Sequence, residues 1–125
     1  MTTAAFKPKA YLIKSCPFCF KFLVFMGEAQ LADDIDIVGL EANSQELEDA
    51  KATLGAASGA KVSFPVVEVE PGVYKTDSDQ LIEYFAKRHG VNAEELPVLS
   101  FYKRGLFPAY INMYKEILAL KHTNA

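Results

Sequence analysis

The chain has two cysteines, Cys16 and Cys19, and they lie three positions apart between two apolar segments. This pattern predicts a buried strand at residues 9–14, a tight loop, and a helix over residues 17–30. Pro17 suits the first position inside a helix, because the N–H that proline lacks has no partner there. Residues three apart share a helix face, so the two thiols could close a disulfide or hold a metal together.

The spacing also assigns different chemistry to the two thiols. The thiolate is the nucleophile of disulfide exchange, whereas an ordinary thiol is mostly protonated at neutral pH. The unpaired N–H groups and the dipole at a helix N-terminus favour the anion. Cys16 is therefore predicted as the attacking thiol and Cys19 as a buried resolving thiol beneath it, with Lys14 adding positive charge nearby.

The cysteine pair has two other interpretations, a zinc site and a pair of inert buried cysteines. A zinc site of four thiolates within the chain is excluded, because the chain has only two cysteines. A site of two cysteines and two histidines would need His89 and His122, which lack the usual ligand spacing. Two inert buried cysteines remain an alternative. Redox chemistry is the favoured interpretation, and no metal is expected.

Composition narrows the classes of function. A chain of 125 residues, half of them apolar, predicts one domain with a single core. The net charge is −3 and the basic residues are scattered, so neither charge nor pattern predicts nucleic-acid binding. No apolar run is long enough to span a membrane, and the N-terminus does not resemble a secretory signal. We therefore expect a cytoplasmic protein, in which a C-x-x-C pair is catalytic rather than structural.

The remaining patterns predict the element order β-α-β-α-β-β-α. Strands are expected at residues 35–38, 64–69 and 73–75, and helices at residues 43–54 and from about residue 77 to Gly90. Asn43 is the expected cap of the second helix. A helical crossover makes the first two strands parallel, and a Pro-Gly turn makes the last two antiparallel. The predicted fold class is α/β, with a four-stranded mixed sheet flanked by helices.

This order, with C-x-x-C after the first strand, resembles the thioredoxin fold. Cys16-Pro17-Phe18-Cys19 is similar to the Cys-Pro-Tyr/Phe-Cys motif of glutaredoxins. The stretch 58–65, which ends in Phe64-Pro65, is similar to the glutaredoxin segment that ends in a cis-proline. The stretch 74–84 resembles the Glu-Ser-Asp segment of glutathione S-transferase N-terminal domains. The resemblance covers about residues 9–90.

The resemblance implies a glutathione site. A cis bond before Pro65 would turn the backbone of Phe64 toward the cysteinyl backbone of glutathione. The start of the third helix would hold the γ-glutamyl end. Asp79 competes with Asp77 for this role, and Asp77 is favoured. The full predicted set for glutathione is Lys14, Pro17, Phe18, Phe64, Pro65, Asp77 and Ser78.

Residues 91–125 follow the predicted thioredoxin-like domain of residues 1–90 as a short C-terminal helical extension. A final helix is expected from Pro108. Its apolar stripe is expected to pack on the same domain, with a dimer contact or a substrate groove as alternatives. The stripe consists of Tyr110, Met113, Tyr114, Ile117 and Leu118.

The implied function is that of a glutathione-dependent thiol–disulfide oxidoreductase, similar to glutaredoxins, with glutathione as co-substrate. Its expected partners are glutathione and disulfide or glutathionylated proteins, and it is expected to be a monomer or weak homodimer. Three alternatives stay open: a transferase-like conjugating enzyme, a glutathione-binding module, and a glutathione-dependent iron–sulfur carrier.

Overall fold

The computed structural model describes residues 6–59 and 61–123, together with their side chains up to Lys121. The side chain of His122 therefore lies outside the described part. The predicted order of the first seven helices and strands is confirmed, and two further helices follow. The elements are β1 (Lys9–Ile13), α1 (Pro17–Glu28), β2 (Asp36–Leu40), α2 (Gln45–Ser58), β3 (Val66–Glu70), β4 (Val73–Thr76), α3 (Ser78–His89), α4 (Pro97–Phe101) and α5 (Phe107–Thr123).

The four strands form one mixed sheet in the order β2-β1-β3-β4. β1 and β2 run parallel, from the pair Lys9 and Asp36 to the pair Ile13 and Leu40. β3 pairs antiparallel with both β1 and β4. The hairpin between β3 and β4 turns at Gly72, whose φ of 77° is readily adopted by glycine. This arrangement places the end of β1, and hence the Cys16 loop, near the middle of the sheet.

The core lies where α1 and α3 pack on the sheet. Its largest side chains come from these two helices, and each is at most 1% exposed: Phe22, Phe25, Met26, Leu81 and Phe85. Val67 and Val69 of β3 belong to the same cluster. The core therefore holds together the helix that carries both cysteines and the helix that begins at Asp77.

The second helix differs from its predicted bounds. Ser44, not Asn43, caps α2, and the Ser44 hydroxyl accepts a hydrogen bond from the Leu47 N–H at 3.1 Å. The helix also continues past Gly55 and ends at Gly59, where φ is 71°. A glycine inside a helix costs only about 1 kcal/mol, and the alanines that follow Gly55 favour helix.

The extension forms one uninterrupted helical run from α4 through a π turn, Tyr102–Leu106, into α5. The prediction that the last helix starts at Pro108 is wrong by one residue. Pro97 and Pro108 also predict a separate short segment, Val98 to Arg104, between them, and this prediction is wrong because the helical run continues through it. A proline ring inside an α-helix clashes with the carbonyl four residues earlier. The wider π turn directly before Pro108 relieves this clash and lets the run continue.

Only the first part of the extension packs on the domain. Leu99 is 1% exposed and Tyr102 8% exposed. The Glu28 carboxylate of α1 accepts hydrogen bonds from the first N–H groups of α4, those of Val98 and Leu99, at 2.7 and 2.8 Å. The five side chains of the α5 stripe are 39–53% exposed. The predicted packing of this stripe on the domain is therefore not observed. The division of the chain into a domain of residues 1–90 and an extension of residues 91–125 stays a prediction.

In the described part of the chain, we find no helix with the length and apolar character needed to cross a membrane.

Candidate active site

Cys16 occupies the N-cap position of α1, with φ −88° and ψ 122°, and Pro17 is the first residue of the helix. The Cys16 sulfur accepts a hydrogen bond from the Cys19 N–H, with the two atoms 3.4 Å apart. Cys16 is half-buried, whereas Cys19 is only 1% exposed, and both thiols are free. The structure thus places an accessible sulfur where the N–H groups of the first helical turn can stabilise its anion.

The two thiols titrate very differently. The Cys19 side chain donates a hydrogen bond to the Cys16 sulfur, and this is the main reason why the pKa of Cys16 falls to about 6. Hydrogen bonds from the backbone N–H groups of Cys19 and Phe18 lower the Cys16 pKa further, while partial burial opposes the shift. The same thiol–thiol hydrogen bond and burial raise the pKa of Cys19 well above its ordinary value. At neutral pH, Cys16 is therefore the thiolate and Cys19 keeps its proton.

This asymmetry predicts how alkylation depends on pH. The thiolate is the reactive form, so the rate of Cys16 alkylation by iodoacetamide should rise through a midpoint near pH 6 and then level off. Cys19→Ala removes the main stabilising hydrogen bond. A hydrogen bond to a charged group contributes about 1.5–3 kcal/mol, so this variant should move the midpoint upward by about one unit or more. A wild-type midpoint near that of a free thiol, or an unchanged midpoint in Cys19→Ala, would contradict the assignment.

The structure pairs the charge of Lys14 with Glu41 rather than with Cys16. Its ammonium group lies 3.0 Å from a carboxylate oxygen of Glu41, and both side chains are exposed. Lys14 nevertheless lines a small cavity of about 200 Å³ together with Cys16 and Pro17. Tyr102 of the π turn and Tyr110 of α5 form part of the wall of this cavity.

A second cavity of about 350 Å³ brings five of the predicted glutathione residues together: Phe18, Phe64, Pro65, Asp77 and Ser78. The peptide bond between Phe64 and Pro65 is cis. Both cavities contact the first turn of α1, the smaller through Cys16 and Pro17 and the larger through Phe18. Residues from four distant parts of the sequence thus line two cavities that adjoin the first turn of α1.

The larger cavity ends at the N-terminus of α3. Asp77 caps this helix, and one of its carboxylate oxygens accepts hydrogen bonds from the N–H groups of Asp79 and Gln80 at 2.9 and 3.2 Å. Asp77 has φ 75°, a left-handed conformation that non-glycine residues rarely adopt. Ser78, the first residue of the helix, is buried. Asp77 therefore caps α3, and it also lines the cavity.

Two residues of this region were not predicted from the sequence. Lys21 lines the larger cavity, yet its side chain is only 5% exposed, and its ammonium group lies 2.9 Å from Asp79. A lysine within the phenylalanine-rich stripe of α1 was the available signal, since buried lysines need a partner. Tyr102 donates a hydrogen bond from its hydroxyl to the Pro17 carbonyl at 2.8 Å. Nothing in the sequence predicted the turn that places Tyr102 there.

Among the side chains that the structure describes, those of residues 6–59 and 61–121, no three histidines, cysteines or acidic residues are grouped so that they could hold a metal ion.

Comparison with known proteins supports the fold. No protein-family model matches the chain, and no curated protein matches it. Similar solved structures include glutaredoxin 2 from Salmonella typhimurium in complex with glutathione, which is 21% identical with a TM-score of 0.52. A glutathione S-transferase from the Antarctic clam Laternula elliptica is 20% identical with a TM-score of 0.52. A possible glutathione S-transferase from Rhodopseudomonas palustris is 19% identical with a TM-score of 0.54.

These matches cover 67%, 68% and 87% of this chain, respectively. The chain spans about a third of the length of the first two structures and 57% of the third. The protein therefore has the thioredoxin fold, in the arrangement found in glutaredoxin 2 and in glutathione S-transferases, as the sequence predicts.

Proposed function

We propose that this protein is a glutathione-dependent thiol–disulfide oxidoreductase. The observation that carries the proposal is the Cys16 thiol, whose pKa of about 6 makes it a thiolate at neutral pH. This thiol lies on the same helical turn as a cavity lined by five residues predicted to bind glutathione. The similar structure of glutaredoxin 2 was determined in complex with glutathione, which supports the choice of ligand.

The proposed reaction begins with attack of the Cys16 thiolate on a mixed disulfide between glutathione and a substrate thiol. A disulfide forms between Cys16 and glutathione, and the substrate leaves as a thiolate. A second glutathione thiolate then attacks the glutathionyl sulfur, which releases oxidised glutathione and restores Cys16. Cys19 can instead lose its proton and attack Cys16, which releases glutathione and closes a Cys16–Cys19 disulfide. Two further glutathione molecules would reduce that bond.

The proposed positions of glutathione follow the two cavities. Its cysteinyl backbone would lie along Phe64 and Pro65, and its γ-glutamyl end at Asp77 and Ser78. The remaining proposed contacts are those of Lys14, Pro17 and Phe18. We further propose glutathionylated or disulfide-bonded proteins as substrates, a cytoplasmic location, and a monomer or weak homodimer.

Trapping of the intermediate tests this proposal directly. Cys19→Ser removes the resolving thiol and keeps a hydroxyl donor beside Cys16. Incubation of this variant with oxidised glutathione should leave one glutathionyl group on Cys16, as measured by intact mass and peptide mapping. Cys16→Ser, in which only the buried Cys19 remains, should gain none. Glutathionylation of Cys19 instead, or of neither cysteine, would contradict the proposal.

A transferase-like conjugation is the second candidate, and the smaller cavity favours it. This cavity beside Cys16 has side-chain walls from Phe20, Tyr102 and Leu106 that suit an apolar electrophile. Conjugation of glutathione to a chlorodinitrobenzene, followed by absorbance, separates the two functions. Conjugation faster than disulfide reduction by the same preparation would favour the transferase.

A further inference from the structure

Lys21 is a buried cation that contacts parts of three helices. Its side chain is 5% exposed, and its ammonium group lies 2.9 Å from a carboxylate oxygen of Asp79 on α3. The same ammonium group lies 4.5 Å from the ring centre of Phe107 on α5 and 5.7 Å from that of Phe18 on α1. An ammonium group loses much of its hydration when it is buried, so such a site is stable only where carboxylates and aromatic faces replace the water.

One of these contacts leads to the wall of the larger cavity. Asp79 lines that cavity, and its backbone N–H donates to the Asp77 carboxylate at 2.9 Å. Asp79 is thus held at two points, by Lys21 through its side chain and by Asp77 through its backbone. Since Phe18 on α1 forms another part of the lining, the Lys21–Asp79 pair links the α3 end of the cavity to α1, although the Asp79 side chain itself is 70% exposed.

The other contact leads to the extension. The rings of Phe107 and Phe18 meet edge to face, with centres 5.2 Å apart. Phe107 also contacts Tyr102, at 5.7 Å between ring centres, and the Tyr102 hydroxyl donates to the Pro17 carbonyl. The first residue of α5 is therefore packed against both Lys21 and the helical turn that carries the reactive thiol.

Charge gives the Lys21–Asp79 pair a second role. Asp77 and Asp79 place two carboxylates at the end of the cavity, where the proposed γ-glutamyl group brings both a carboxylate and an ammonium. Lys21 compensates the charge of Asp79 and leaves Asp77 to face the ligand ammonium. A cavity with one uncompensated carboxylate suits this zwitterionic group better than a cavity with two.

We propose that Lys21 is a positioning residue that connects the C-terminal extension to the α3 wall of the cavity, so that Phe107 and Lys21 together set the affinity for glutathione. The identity of the ligand rests on the proposed function, whereas the connection between α5 and α3 rests on the contacts alone.

Four variants test the connection. Lys21→Met removes the charge and keeps the length of the side chain, and Lys21→Arg keeps the charge. Phe107→Leu removes the ring but remains apolar. Lys51→Met is the matched control, because Lys51 forms an exposed ion pair with Glu48 on α2, away from the cavity. Circular dichroism and thermal melting establish that each variant is folded. If Lys21→Met fails to fold, Asp79→Asn replaces it, since this change removes the other half of the ion pair.

Two readouts follow. Hydrogen exchange of the amides of residues 76–81 should become about tenfold faster in Lys21→Met, because the end of α3 loses its anchor. The KM for glutathione should rise about five- to tenfold with kcat within about twofold, because Lys21 does not touch the reacting sulfur. The pH midpoint of Cys16 alkylation should stay in place. Lys21→Arg should restore most of the affinity, and Lys51→Met should behave as wild type.

The double variant Lys21→Met with Phe107→Leu decides whether the extension acts through Lys21. If it does, Phe107→Leu also speeds the hydrogen exchange of residues 76–81, and the double variant exchanges little faster than Lys21→Met alone. Additive effects, or unchanged exchange of residues 76–81 in folded Lys21→Met, would overturn the inference. Absence of glutathione binding in the wild type would overturn the proposed function. Hydrogen exchange of residues 76–81 in the single and double variants would still decide whether α5 and α3 are connected through Lys21. Equal glutathione affinity in wild type and Lys21→Met would overturn the inference alone.

Discussion

Cys16→Ser is expected to lower the turnover of a glutathione mixed disulfide by a factor on the order of 10³ or more. The serine hydroxyl is not ionised at neutral pH, and it cannot form the disulfide that the proposed reaction passes through. The Cys16 thiol, by contrast, is half-buried at the N-terminus of α1 and has a pKa of about 6. Turnover is measured with glutathione, glutathione reductase and NADPH. Full activity in Cys16→Ser would refute the assignment of Cys16 as the nucleophile.

Cys19→Ser is the matched control, because it makes the same atomic change three residues further along the same helix. In the wild type, Cys19 is only 1% exposed and keeps its proton, so an incoming disulfide cannot reach its sulfur first. We expect this variant to keep part of its turnover with a glutathione mixed disulfide, since a second glutathione can resolve the intermediate. Loss of turnover in both variants would point to a dithiol mechanism.

Short-range signals predicted most of the fold. Pro17 and the two cysteines placed the start of α1 correctly, because each acts within a single helical turn. Gly90 ended α3 as predicted, and its φ of 67° is readily adopted by glycine. Asn43 was the wrong cap for α2, since Asn43 and Ser44 are both good capping residues and the sequence alone does not choose between them.

Long-range contacts were the part that local patterns could not predict. The cis-proline and the Asp77 region came from the family resemblance, and the structure brings them together in one cavity. Lys21 was missed because its partner, Asp79, lies 58 positions away in the sequence. The course of α5 was missed for a related reason, because the π turn before Pro108 carries Tyr102, whose hydroxyl donates to the Pro17 carbonyl 85 positions away in the sequence.

Phe22→Ala is expected to give the largest loss of stability among the single changes considered. The Phe22 side chain is fully buried, and its ring centre lies 5.8 Å from that of Phe85 on α3. Removing a buried phenylalanine ring costs about 3–5 kcal/mol, through lost apolar burial and the cavity left behind. This is a large share of the roughly 5–15 kcal/mol that stabilises a typical domain. Urea unfolding followed by circular dichroism measures the free energy of unfolding.

Phe101→Ala is the control, because it removes the same ring at a position that is 83% exposed. The free energy of unfolding should change there by no more than about 0.5 kcal/mol. Equal losses in the two variants would mean that α1 and α3 are not held together through Phe22. The distinction also concerns the site, since α1 carries both thiols and α3 begins at Asp77. If the packing at Phe22 holds these two helix ends in position, Phe22→Ala should also bind glutathione more weakly than the wild type at a temperature at which the variant is still folded.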